Sequence, residues 1–311
     1  MRAPGIWTLA AVVLALTACS REKSGDTAAE AADQRRFGSP EEAAAALIQA
    51  AEQFNESALV DILGSEGKSL VSSKDPVMDR KLSVEFAAEA RAKHRIELDS
   101  SRKTAILSVG PTDWPVPFPV VEEDGKWRFD AEAGAREVLA RRIGRNELDA
   151  IAVCRGFVDA QREYARTRHD GARVNQYAQR MISTPGKRDG LAWRAADGSW
   201  KGPVGEVIAR VIAEGYSDRS EPFHGYYFKV LKGQGPAAPL GEMDFVVKGM
   251  MIGGFALVAA PAEYLVTGVK TFIVSHDGIV YEQDLGPETL VRFRGMERYN
   301  PDSTWTPVAG D

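Results

Sequence analysis

The chain has 311 residues, room for two domains of ordinary size, and its composition of 44% apolar and 27% charged residues is that of a folded globular protein. This excludes a wholly disordered chain, a collagen-like chain and a multi-span membrane protein. A net charge of -5 argues against a nucleic-acid partner, which needs a concentrated basic face, and two cysteines exclude a disulfide scaffold.

The first residues carry an export pattern. Arg2 supplies a positive start, and Ile6 to Thr17 is an apolar run of 12 residues, shorter than the roughly 20 that span a membrane. The run ends in Leu16-Thr17-Ala18-Cys19, which resembles the bacterial lipobox. That resemblance implies cleavage before Cys19, lipidation of its sulfur, and a protein held on an envelope membrane by its acyl chains. Ser20 stands where an Asp would favour inner-membrane retention, which points to the periplasmic face of the outer membrane. Residues 20–36 are polar, mixed in charge and without a large apolar side chain, so 1–18 reads as a signal and 19–36 as a lipidated cysteine with a flexible tether.

Ser39-Pro40-Glu41-Glu42 has the form of a helix start, with an N-cap, a proline at the first position and a capping box. Ala44, Leu47, Ile48 and Ala51 follow at helical spacing, and a second short helix is expected from Ser57 to Leu63, stopped by Gly64. Strands are expected around Ile96 and Leu98, which alternate with polar residues, and at Ala105-Ile106-Leu107. Between Trp114 and Val121, Pro115, Pro117 and Pro119 remove N–H donors from one side only, so this segment is expected at a sheet edge. Asp124-Gly125 predicts a tight hairpin into Lys126–Phe129. The order helix, helix, then a sheet ending in Trp127-Arg128-Phe129 resembles the cone-shaped nuclear-transport-factor-2-like fold over 37–132.

A connecting helix is expected over 133–145, ending near Gly144. A long helix then starts at Asn146 and reaches about Arg168, with Ile151, Cys154, Phe157, Val158, Gln161 and Tyr164 on one face. Residues 169–222 read as irregular, punctuated by His169-Asp170-Gly171, Pro185-Gly186 and Asp197-Gly198, with one short helix within 205–215. Strands are expected at Tyr226–Leu231, Gly254–Ala259, Val269–Ser275 and Ile279–Gln283. A two-residue turn at Asp277-Gly278 would pair His276 with Ile279 and Val274 with Tyr281.

The runs Lys187 to Trp193 (KRDGLAW), Phe223 to Gly235 (FHGYYFKVLKGQG), Gly253 to Tyr264 (GGFALVAAPAEY) and Thr267 to Gly286 (TGVKTFIVSHDGIVYEQDLG) resemble a bacterial exported-protein family, domain of unknown function 2950. That resemblance brings no established activity. Ala160-Gln161, Tyr164, Gly225 to Phe228, Ala260-Pro261, Gly268 to Phe272 and Asp277 to Ile279 also resemble the globular heads of type IV pilins and pseudopilins, where a helix packs on a β-meander. The departure is that no long apolar membrane segment opens this helix, so only the head architecture carries over. The expected fold is α+β with two domains: a helix-plus-curved-sheet cone, and over 146–311 a long helix on an antiparallel β-meander.

Catalytic patterns are thin. Cys154 sits among apolar residues, with only Arg155 nearby to activate a thiol, and reads as a buried inert group. His94, His169, His224 and His276 make no paired spacing suited to zinc, so neither a metal nor a cofactor is expected. Gly64-Ser65-Glu66-Gly67-Lys68-Ser69 echoes a phosphate loop, but Ile62 occupies the first glycine position. Ser65 and Lys68 match Ser-x-x-Lys of penicillin-binding enzymes without its partner motifs. Phe223, Tyr226, Phe228 and Tyr281 are the candidate binding face, with core filling as the alternative. No catalytic residue is singled out. The expectation is a membrane-tethered envelope lipoprotein that binds a protein or cell-wall partner rather than an enzyme. The alternatives are a hydrolase whose site is assembled from distant residues, and an accessory of a pilus or secretion system.

Overall fold

A computed structural model describes residues 34–64, 67, 76–204 and 222–309. The export signal, Cys19, residues 19–33 of the expected tether and the helix expected within 205–215 lie outside the described residues. The chain is α+β and divides into two compact units, Met1–Glu137 and Val138–Asp311.

In the first unit, helix α1 (Pro40–Glu52) begins as the capping pattern predicts. Ser39 Oγ accepts from the Glu42 N–H at 3.2 Å, and Glu42 Oε2 closes the box on the Gly38 N–H at 2.8 Å. Ala44, Leu47, Ile48 and Ala51 form its buried face. Helix α2 (Glu56–Leu63) starts after Asn55, whose side chain accepts from the Ala58 N–H, and ends at Gly64. Helix α3 (Pro76–Ala92) was not foreseen: its sequence is mostly polar, and it buries Ala87 and Ala90, whose small side chains let it pack closely against α1.

The sheet comprises β1 (His94–Leu98), β2 (Thr104–Val109), β3 (Trp114–Pro115), β4 (Val120–Glu123) and β5 (Lys126–Phe129), in the order β1-β2-β4-β5 with β3 also on β2. Ile96 is half-buried as alternation predicts, whereas Leu98 at the strand end is exposed. The proline segment is an edge only in part. Trp114 and Pro115 pair with Val109 and Ser108, but Val120 and Val121 lie inside the sheet, between β2 and β5. Pro119 is the last residue lacking an N–H, so pairing on both sides resumes directly after it. At the hairpin tip Asp124 and Gly125 have φ of 53° and 72°, the left-handed pair of a type I′ turn. The unit begins within the expected tether: Gln34 Nε2 donates to Ile62 O and Phe129 O at 2.9 and 2.8 Å, and Arg35 N to Asp61 O at 2.9 Å.

Helix α4 (Ala131–Tyr164) is continuous through its 34 residues, where two helices were expected. Gly144 costs about 1 kcal/mol inside a helix, too little to break one held by packing. Asn146 does not cap; its Nδ2 donates to Thr267 O at 2.9 Å. The predicted stripe of Ile151, Cys154, Phe157, Val158, Gln161 and Tyr164 is wholly buried. Three short strands, β6 (Arg180–Ile182), β7 (Gly190–Arg194) and β8 (Trp200–Lys201), form a sheet in the stretch expected to be irregular.

Strand β9 (Tyr226–Leu231) is followed by two small ladders, β10 (Gly233–Gln234) with β11 (Met243–Asp244) and β12 (Val246–Val247) with β13 (Met250–Met251). Then come β14 (Ala256–Pro261), β15 (Lys270–Ser275), β16 (Val280–Asp284), helix α5 (Thr289–Gly295) and β17 (Thr306–Pro307), giving an antiparallel sheet in the order β17-β16-β15-β14-β9. Helix α4 runs along β15. Glu147 Oε1 accepts from the Val269 and Lys270 N–H groups at 2.9 and 3.0 Å, and Arg162 donates to His276 O at 3.3 Å beyond the strand's other end. Fifteen helical residues rise about 22 Å, close to the length of this strand. On the opposite face Tyr227 and Lys229 meet Phe293 of α5, so every residue of β14 is buried.

The β15–β16 hairpin is shifted by one residue from the expected register: Val274 faces Val280, and Ile273 faces Tyr281. Only Gly278 is left-handed, at φ 85°, and its N–H closes a turn on Ser275 O at 3.0 Å. Asp277 Oδ1 accepts from Ile279 N and Ser275 Oγ, holding a longer loop than a two-residue type I′ turn. The shift moves Tyr281 to the face opposite Phe272 and Val274, where its ring meets Tyr299 edge-on. Among the described residues no helix is long and apolar enough to cross a membrane.

Candidate ligand-binding site

The first unit contains a cavity of about 280 Å³ between its helices and one end of its sheet. This volume is near the lower bound of the roughly 300–1,000 Å³ typical of small-molecule sites. Leu47 and Ala51 come from α1, Leu59 and Leu63 from α2, and Asp79, Leu82, Ser83 and Phe86 from α3. Val109 closes β2, and Trp114, Val116, Pro117 and Phe118 form the remaining wall. The helical contributors recur at three- or four-residue spacing, so each helix presents one apolar stripe. The proline segment supplies the other side because its detour between β3 and β4 points Val116 and Phe118 inward, both buried. Trp114 and Leu82 are each 56% exposed, large apolar groups that stand at the surface and are explained by a mouth.

Polar groups in this wall are few. Asp79 and Ser83 lie one turn apart on the same face of α3. Ser83 Oγ donates its proton to Ala51 O at 2.9 Å, which ties α3 to α1 and leaves the hydroxyl to act as an acceptor. Among the described residues no other side chain of the wall carries charge.

The aromatic residues expected to form a binding face do not form one. Tyr226 and Phe228 are buried in the core of the second unit, and Tyr226 Oη donates to Lys270 O at 2.8 Å. Phe223 and Tyr281 are half-buried and pack against that core, Tyr281 from the sheet's other face. Alternation along β9 sends Tyr226 and Phe228 under α4, which makes them filling rather than surface. Cys154 is fully buried, and desolvation pushes its thiol up to about 12, the opposite of an activated nucleophile.

The histidines are dispersed. His94 Nδ1 meets Ala90 O at 2.8 Å, His169 stacks on Tyr164, and the half-buried His276 ring lies edge-on to Phe245 and Phe255. His224 alone has a carboxylate partner, Asp149 Oδ2 at 2.5 Å from Nδ1, in an exposed turn where His224 adopts φ 47°. Of the phosphate-loop echo only Gly64 and Gly67 are described, and Lys68 and Ser69 lie outside the described residues. Asp277 and Asp284 act locally, each accepting a backbone N–H beside its turn.

The cavity itself was missed. Its only legible trace was the Leu47 and Ala51 stripe and the proline segment, both read as core or edge. Helix α3, which brings Asp79, Leu82, Ser83 and Phe86, had no sequence signal strong enough to be placed. No curated protein and no solved structure matches this chain. One family model, Protein of unknown function (DUF2950), matches residues 34–308. The chain therefore belongs to the family described as Protein of unknown function (DUF2950).

Proposed function

We propose that this protein is a membrane-tethered envelope lipoprotein that works as a binding module, with the apolar cavity of its first unit as the binding site. The cavity carries the reading, because a half-open apolar space rimmed by an exposed Trp is what capture of an apolar group requires. The lipobox-like Leu16-Thr17-Ala18-Cys19 supports the tether. The test uses the full chain with Cys19→Ala, so that no membrane competes, and an apolar fluorescent probe, N-phenyl-1-naphthylamine. The probe should bind with one saturable site, and Ala51→Leu, which fills the space, should weaken it at least tenfold. Equal binding by both proteins would remove the cavity from the function.

A hydrolase is the second reading, favoured by one observation: Asp149 orients His224 as a carboxylate orients a catalytic base. Hydrolysis of p-nitrophenyl acetate that is lost in His224→Ala would support it, and an unchanged rate would end it.

A further inference from the structure

We infer that the protein self-associates through the outer edge of β1, which pairs antiparallel with β1 of a second copy about a two-fold axis at Ile96. Strand β1 ends its sheet and, among the described residues, pairs with β2. It runs five residues in unbroken register, without a bulge or a proline, and its side chains are exposed apart from the half-buried Ile96. An exposed edge of this kind is a template for another strand.

The backbone sets which groups face that template. Asp99 N–H donates to Thr104 O at 2.8 Å and Gly110 N–H to Lys93 O at 2.9 Å, so the odd-numbered residues turn their polar groups toward β2. His94, Ile96 and Leu98 therefore turn theirs outward. A partner centred on Ile96 places Ile96 opposite the copy's Ile96 and His94 opposite the copy's Leu98, so outward groups meet outward groups along the whole strand.

The side chains are complementary in that same register. Arg95 falls opposite the copy's Glu97, and Glu97 opposite the copy's Arg95, at the non-hydrogen-bonded positions where side chains come closest. Lys93 and Asp99, which flank the strand, extend the pattern, so Lys93-His94-Arg95-Ile96-Glu97-Leu98-Asp99 is matched in charge by its own reverse. A shift of two residues either way would set Arg95 or Glu97 against itself, which fixes the register. Within one strand Arg95 and Glu97 meet at 3.0 Å on the exposed face, and the copy offers each a second partner of opposite sign. Leu98 shares the core-facing side with Ile96 yet is 49% exposed, and the joined sheet would cover it. Two such short edges bury less than the roughly 1,200 Å² of a standard interface, so the dimer is weak, with Kd on the order of 10–100 μM.

The experiment takes the full chain carrying Cys19→Ala through about 5–500 μM in sedimentation equilibrium, a range that brackets this affinity. A monomer–dimer equilibrium should appear within it. Arg95→Glu and Glu97→Arg should each weaken dimerisation about tenfold or more, because each sets like charges opposite one another. An equimolar mixture of the two variants should recover it, since one strand then carries two acids where the other carries two bases. Misfolding of either variant cannot produce that recovery. A chain that stays monomeric throughout the range overturns the inference and leaves the edge to a strand of another protein. Single variants that dimerise as well as the starting protein, or a mixture that fails to recover, overturn it as well.

Discussion

The two units solve the same problem, covering a five-stranded antiparallel sheet, with different completeness. In the second, α4 lies along one face and α5 with the C-terminal segment covers the other, so all six residues of β14 are buried and Phe272, Val274 and Leu257 have no exposure. In the first, the described side chains of α3 include only two that are fully buried, both alanines, while Leu82, Val77 and Val84 are exposed. What differs is the supply of large side chains on the covering helix. Ile151, Phe157, Val158 and Tyr164 fill the space beneath α4, whereas Ala87 and Ala90 bring α3 close at one end, with Phe86 and Ser83 only half-buried at the cavity. An under-filled layer is a liability for stability and an opportunity for a ligand.

The contrast breaks most sharply at matched aromatic truncations. Phe272→Ala in the closed core should cost about 3–5 kcal/mol, whereas Phe86→Ala at the cavity wall should cost about 1 kcal/mol or less, because its ring is already partly solvated. Urea titration of the two variants checks this, and equal losses would mean that the first unit is packed as tightly as the second.

Alkali should separate the units next. All eight tyrosines fall between Tyr164 and Tyr299, in the second unit. Burial raises the phenols of Tyr226 and Tyr299, and pushes Tyr164 and Cys154 up to about 12. Each is neutral longer when folded than when unfolded. Their stabilisation is therefore full below the ordinary thiol and phenol range and is lost as pH rises from there toward 12. Tyrosinate absorbance should show a late, cooperative rise as unfolding of the second unit releases the buried phenols of Tyr164, Tyr226 and Tyr299. In the first unit, the hydrogen bond from Arg128 holds Glu123 below its usual range, so that contribution is lost only in acid.

Gly278→Val sharpens the comparison from the turn. The left-handed φ of 85° disfavours a β-branched residue, and the cost should be about 1–3 kcal/mol in urea, confined to the second unit. A change below about 0.5 kcal/mol would mean that the loop relaxes around the new side chain. Cys154→Ala should cost about 1–2 kcal/mol with function kept, and a polar thiol reagent should label Cys154 only on unfolding.

Much of the second unit was legible because its signals are local. β9 fell on Tyr226–Leu231 as expected, the helix stripe was read residue by residue, and the glycines at 171, 186, 198 and 278 are left-handed as turn residues should be. The hairpin register was not legible, since Asp277-Gly278 fits both a two-residue turn and the longer loop, and the choice was made by Asp277 bonding to Ile279 and Ser275. In the candidate site, the stripe of α1 was visible but α3 was not, because alanines at 87 and 90 carry little hydrophobic signal and acquire meaning only against α1.

By itself the sequence determined the N-cap of α1 and the Gly64 stop of α2, the buried stripe of α4, the strands of the meander and the family membership, all of which depend on residues near one another in the chain or on pattern. The tertiary structure decided which aromatics are surface and which are core, because Tyr226 and Phe228 are hidden by a helix more than 60 residues away in sequence ~. It also decided where space was left over. A cavity is the difference between what neighbouring elements could fill and what their side chains do fill, and that quantity exists only once α1, α2, α3 and the proline segment are brought together.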